Sequence, residues 1–249
     1  MPDFAFLALL FLAAVLYTSV GHAGASGYLA VMTFYAIASE TMRPAALVLN
    51  IIASVPTTIQ FARAGHFDRK LFLPLVAGSI PFAFIGSLFT LPNLTFKILL
   101  STALIAAAIR LLWTPSITRA IRPMPVWIGV ALGVAIGLLA GLTGIGGGVY
   151  LTPVLLFAGW AEPKRAAAVS SAFILVNSLA GLAGQIEKLK VLSGDIAIWA
   201  IAVVLGGLIG STVGSRWLGS VMLRRLLAIV LLIAVLKLVG EPLLALLER

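Results

Sequence analysis

Cysteine is absent from this 249-residue chain. Disulfide frameworks, CxxC metal sites and thiol catalysis are therefore excluded. Acids are nearly as scarce. The eight are Asp3, Glu40, Asp68, Glu162, Glu187, Asp195, Glu241 and Glu248, and each falls between apolar runs or at a chain end. No carboxylate is thus placed to relay protons or sodium ions within a membrane span. There are two histidines, His22 and His66. No HExxH, no GKS/T and no paired acids occur, so neither metal-dependent nor nucleotide-driven chemistry has a motif to stand on. No enzyme activity, cofactor or metal is expected.

What fills the chain instead is apolar. Hydrophobic residues make up 61% and charged residues only 10%, against about 25% charged in soluble domains. Mean hydropathy is +1.16. A soluble fold of this size cannot hide that much apolar surface. The 17 Lys and Arg outnumber the acids and leave a net charge of +9. They lie in the gaps between apolar runs, as membrane loops do, and form no stripe suited to nucleic acid. The expected partner is the lipid bilayer, with a homodimer open as an assembly.

A helix crossing the bilayer core needs about 20 apolar residues. Long runs occupy 4–20, 44–62, 71–91, 96–113, 126–142, 166–185, 196–214 and 226–239. The first follows no basic leader and no small-x-small cleavage site, so it reads as part of the mature membrane domain. Two runs, 28–39 and 149–158, are too short to span alone, and each follows a glycine-rich break. The first break reads Gly21-His22-Ala23-Gly24-Ala25-Ser26-Gly27. The second reads Gly141-Leu142-Thr143-Gly144-Ile145-Gly146-Gly147-Gly148.

The breaks align: Gly21 with Gly141, Gly24 with Gly144, Gly27 with Gly147. Further on, Glu40-Thr41-Met42-Arg43 lies against Glu162-Pro163-Lys164-Arg165, and Gly86-Ser87 against Gly210-Ser211. The expected fold is an all-α integral membrane protein of two homologous repeats with about four long helices each. Their boundaries are 1–115 and 126–249, with a cytoplasmic linker at 116–125. Arg63, Arg69 and Lys70 mark one cytoplasmic loop, and Arg110, Arg119 and Arg122 mark the linker. In the second half Lys164, Arg165, Arg216, Arg224 and Arg225 fall in one set of loops, Lys188 and Lys190 in the other. That distribution favours an inverted pair of repeats. Inversion requires an odd number of crossings per half. Three full spans suffice if the opening helix and its short partner form a re-entrant hairpin; the opening helix spanning outright is the other reading.

Unpaired backbone at membrane depth is tolerated only inside protein or beside a wet cavity. A short helix starting at a break turns free N–H groups and a positive dipole end toward that cavity. Two such half-helices meeting near mid-membrane would make an anion site. Close helix packing is the plainer reading of the same glycines. Packing is the preferred reading for Gly129, Gly133, Gly137 and Gly141 and for Gly206, Gly210 and Gly214, which recur every four residues. The triple glycine also resembles a phosphate loop, but no GKS/T follows it.

The candidate substrate contacts are His22, Gly24, Ala25, Ser26, Gly27, Asn50, Gly144, Ile145, Gly146, Gly147, Ser170 and Ser171, with Thr143 as a further hydroxyl. For Asn50, Ser170 and Ser171, bonding between helices stands equally open. For His22, so does a structural role. Arg43, Arg165, Gln60 and Asn177 are candidates for the pore mouths. Local ion pairs with Glu40 and Glu162 are the plainer reading of the two arginines.

The two halves, and above all Gly144-Ile145-Gly146-Gly147-Gly148-Val149-Tyr150-Leu151-Thr152-Pro153, resemble the TauE/SafE sulfite exporter family of membrane permeases. The first-half counterpart is Val20-Gly21-His22-Ala23-Gly24-Ala25-Ser26-Gly27-Tyr28-Leu29, with Ser26 and Tyr28 where the second half has Gly146 and Gly148. The resemblance implies a multi-pass transporter of the bacterial inner membrane exporting small sulfur-containing anions such as sulfite, sulfoacetate or other organosulfonates. Without a mid-span carboxylate, the membrane potential is the expected driving force. An importer or permease of another small solute, and a non-transporting scaffold, are the competing readings.

Overall fold

The computed structural model describes residues 4–89 and 121–219, apart from 36, 38, 193 and 194, together with positions 221, 222, 225, 226, 229 and 232. The expected run at 96–113, residues 116–120 of the linker and most of the run at 226–239 lie outside the described residues. So do Lys97, Arg110, Arg119, Arg224 and the Glu40 side chain.

All regular structure among the described residues is helical. In chain order the elements are α1 (Phe4–Ser19), α2 (Ala25–Phe34), α3 (Ser39–Arg63), α4 (Arg69–Ser87), α5 (Val126–Thr143), α6 (Gly148–Phe157), α7 (Pro163–Ala183) and α8 (Ile196–Thr212). A 3-10 turn, Ile186–Val191, follows α7, and a π-helical turn, Val213–Trp217, ends α8. Local sequence sets several of these ends. The Asp68 carboxylate accepts from the backbone N–H groups of Lys70 and Leu71, capping α4. Pro163 opens α7, where its missing N–H costs nothing. Gly144 stops α5 in the left-handed region, φ 73°.

Among the described residues, five helices are long and apolar enough to cross a membrane: Thr41–Arg63, Arg69–Ser87, Val126–Thr143, Pro163–Ala183 and Ile196–Trp217. The opening helix α1 is shorter, 16 residues or about 24 Å, and α2 and α6 are 10-residue half-helices. Exposed Leu, Ile and Phe side chains crowd the outside, Leu73, Ile80 and Phe84 on α4 among them. A surface of that kind suits lipid tails.

Two parallel helix pairs form the flanks, each on a glycine stripe. Gly133, Gly137 and Gly141 of α5 lie against the carbonyls of Leu75, Ser79 and Ala83 of α4, and a Cβ at any of them would overlap that backbone. Gly206, Gly210 and Gly214 bring α8 equally close to Phe11, Val15 and Ser19 of α1. Lipid tails are as apolar as leucine, so close backbone approach and dispersion replace the hydrophobic effect as the cohesive force. Between the flanks, α3 and α7 run antiparallel. Leu47 meets Gly181, Asn50 meets Ser178, and Thr58 meets Ser171.

The loop contacts identify the two ends of the bundle. Arg165 at the start of α7 pairs with Asp68 before α4 at 3.7 Å. The Lys164 ammonium donates to the Ser215 carbonyl at 3.2 Å, and His66 Nε2 lies 3.2 Å from the same oxygen. One end therefore gathers Arg63, Arg69, Lys70, Lys164, Arg165 and Arg216. The other holds the start of α3 with Arg43 and the turn bearing Lys188 and Lys190. As a result α1, α3 and α8 run toward the basic end, and α4, α5 and α7 run away from it. The helices at aligned positions of the two halves are thus antiparallel: α1 to α5, α3 to α7 and α4 to α8.

Candidate functional site

The chain turns between α1 and α2 by placing Gly21 and Gly24 at φ 80° and 102°, a region that side chains resist. The Val20, Gly21 and His22 N–H groups fold back onto Tyr17 and Thr18 carbonyls. Gly24 then accepts from the Tyr28 N–H to begin α2. In the second half, Gly144, Gly146 and Gly147 take φ 73°, 79° and 82° between α5 and α6. Left-handed glycine at three of four positions is what separates these two helices.

Both breaks pack on one helix. A Cβ on Gly21 would lie 2.5 Å from the Ala167 backbone; one on Gly146 would lie 2.8 Å from Ile174 Cγ2 and 2.9 Å from Ser178 Oγ. Ala167, Ser170, Ile174 and Ser178 form a single stripe along α7. The breaks are therefore offset along this stripe, the first nearer the basic end and the second nearer Arg43.

Two separate sets of buried polar side chains, one at each break, form a polar line along this stripe. His22 is fully buried, and its Nε2 lies 2.9 Å from Thr152 Oγ1 on α6. The Thr152 hydroxyl in turn donates to Ser170 Oγ at 2.7 Å. The other ring nitrogen, Nδ1, is buried with no hydrogen-bond partner. Further along, Asn50 Nδ2 donates to Ser178 Oγ at 3.4 Å beside Gly146, while Asn50 Oδ1 is buried with no hydrogen-bond partner. Leaving such a group unpaired costs about 1–3 kcal/mol. No cluster of three His, Cys, Asp or Glu gathers among the described residues.

The remaining candidates divide. Ala25 is buried at the start of α2. Gly24 lies under the Tyr28 ring, whose hydroxyl donates to the Ala23 carbonyl at 2.5 Å. Ile145 bridges the second break, its N–H donating to Thr143 Oγ1 at 3.4 Å. Gly147 caps α6 and faces Phe173, Ile136 and Ala140. Ser26 and Gly27 turn away from the second break: the Ser26 hydroxyl donates to Tyr17 at 3.0 Å, and Gly27 faces Ala13 and Tyr17 of α1. Ser171 faces Thr58 on α3. Asn177 donates to its own helix at Phe173, while its Oδ1 and Gln60 Oε1 are buried without partners. Arg43 reaches the carbonyls of Gly141 and Phe89. Arg165 pairs across the bundle with Asp68, whereas Glu162, three residues before it, stands in extended backbone outside the helix.

Residues 6–238 match the family described as Sulfite exporter TauE/SafE. The chain belongs to the TauE/SafE sulfite exporter family. It is 33% identical over 233 residues to a probable membrane transporter protein, y4hK, of Sinorhizobium fredii, which covers 92% of this chain and 94% of that one. No solved structure matches it. As a TauE/SafE protein with five spanning-length helices among its described residues, it is a multi-pass membrane transporter. Within that frame, Thr152 and Ser178 are polar contacts of this TauE/SafE chain that reading the sequence alone passes over. Thr152 did carry a signal, as a hydroxyl inside the second glycine motif. Ser178 carried none beyond being polar in an apolar run.

Proposed function

We propose that this TauE/SafE transporter exports a small sulfur-containing anion, sulfite or an organosulfonate such as sulfoacetate, across the bacterial inner membrane. The observation that carries the reading is a pair of buried polar sets, His22, Thr152 and Ser170 at the first glycine break and Asn50 and Ser178 at the second. Each break opens a half-helix whose first N–H groups and positive dipole end suit an anion. Hydroxyls and the imidazole supply further donors without a competing carboxylate.

The basic end faces the cytoplasm in this reading, because Lys and Arg concentrate on that side of membrane proteins. The two halves then act as inverted repeats. The reversed direction of aligned helices and the two exchanged glycine-stripe pairs, α1 with α8 and α5 with α4, support this. Transport consists of one repeat rocking against the other, exposing the polar line to each side in turn. A negative-inside potential supplies about 2.3 kcal/mol per elementary charge per 100 mV, enough to move an anion outward without a coupling ion.

Purified protein in proteoliposomes tests this. Sulfite flux is followed while a potassium diffusion potential of either sign is imposed, with sulfoacetate, sulfate and an uncharged analogue run alongside. The expected result is faster sulfite movement toward the positive side. Flux indifferent to potential, a strict proton requirement or preference for a neutral solute would sink the proposal.

A further inference from the structure

Arg43 bridges several helix ends with its guanidinium. It begins the α3 stripe Arg43, Leu47, Asn50, two turns from the Asn50 amide. A Cβ on Gly144 would lie 2.8 Å from Arg43 Cγ, so the side chain lies directly over the second break. Its guanidinium joins the ends of three other helices. Nη2 donates to the Gly141 carbonyl on α5, and Nη1 donates to the Phe89 carbonyl just past α4, at 3.3 Å. With the Gln185 amide turned to satisfy its neighbours, the Gln185 side-chain oxygen beyond α7 accepts from Nε at 3.0 Å. All of these acceptors are neutral, and no carboxylate pairs with Arg43 among the described residues. Its aligned counterpart, Arg165, is half-exposed and already paired with Asp68.

We propose that Arg43 is the charge-selecting gate at the end opposite the basic collar. The inference rests on the anion-export reading above. Hydrogen bonds to an ionised acceptor are about twice as strong as those to a neutral one. An anion arriving past Asn50 therefore outcompetes the carbonyls and draws the guanidinium off the helix ends. The contacts that close this end are released by the same event that recognises the charge. Arg165 cannot act in this way without first giving up Asp68.

The test compares wild type, Arg43→Lys, Arg43→Gln and Arg165→Gln in proteoliposomes, using sulfite and uncharged dimethyl sulfone. Arg43→Gln should raise the half-saturating sulfite concentration about tenfold or more and narrow the preference over the sulfone. Arg43→Lys should restore most of the preference, and Arg165→Gln should change it less than about threefold. A merely structural Arg43 would alter the amount of folded protein and leave half-saturation unchanged. If Arg43→Gln does not fold, phenylglyoxal labelling of wild type decides. Sulfite, and not the sulfone, should protect Arg43 while leaving Arg165 reactive. Half-saturation unchanged in Arg43→Gln, or no protection in a preparation that carries sulfite, overturns the inference alone. A wild type that carries no sulfite overturns the export reading as well.

Discussion

Gly146 and Gly65 offer a matched comparison. Both sit at φ 79°, so an alanine at either meets the same backbone penalty, about 1–2 kcal/mol for a left-handed side chain. Their surroundings differ. Nothing lies within 4 Å of a Cβ on Gly65, whereas a Cβ on Gly146 meets Ile174 at 2.8 Å, Ser178 at 2.9 Å and Asn50 at 3.1 Å. Overpacking of that kind costs about 1–3 kcal/mol. Gly65→Ala should then lose about 1–2 kcal/mol and Gly146→Ala about 2–5 kcal/mol. At roughly 2–4 °C per kcal/mol for a chain of this size, Gly146→Ala should melt about 2–12 °C below Gly65→Ala. Thermal unfolding in detergent measures the gap. Sulfite uptake by proteoliposomes measures its consequence, with flux preserved in Gly65→Ala and depressed in Gly146→Ala. Equal melting and equal flux in the two variants would refute the claim that the second break is packed against the polar line.

Two further substitutions probe the line and the helix seams. Thr152→Val removes the hydroxyl between His22 and Ser170 and leaves a buried ring nitrogen unpaired, so it should cost about 1–3 kcal/mol; Thr152→Ser should recover most of this in the same unfolding assay and restore flux. Gly137→Ala pushes a methyl into the Ser79 backbone and should destabilise the α4–α5 seam by about 1–3 kcal/mol or more. Gly181→Ala, whose new methyl meets nothing closer than 3.6 Å, should be neutral or gain up to about 1 kcal/mol from helix propensity. Limited proteolysis of the two proteins should rank them in that order.

The glycine breaks were legible because the constraint that makes them is local. Only glycine populates φ near +80° at little cost, so Gly21, Gly24, Gly144, Gly146 and Gly147 announce their own turns. The packing stripes at Gly133, Gly137 and Gly141 were legible for a similar reason: spacing of four puts small residues on one helix face. Arg165 was harder. A local pair with Glu162 is three residues away in sequence, but α7 starts at Pro163 and leaves Glu162 outside it, so Asp68 takes the charge. Ser26 and Gly27 show the same limit. Both belong to the first break by position, yet the first turn of α2 rotates them onto Tyr17 of α1.

By itself the sequence determined the solvent, the class and the places where helices must stop. A chain with 61% hydrophobic and 10% charged residues can be stable only in lipid, and backbone in lipid must be helical or closed upon itself. Tertiary structure decided which polar groups meet. His22 and Thr152 are 130 positions apart, and Asn50 and Ser178 are 128 apart. No local periodicity links residues at such distances. They meet because glycine stripes hold α1 to α8 and α4 to α5, and those flanks leave α3 and α7 to bring the two breaks onto one face of a single helix.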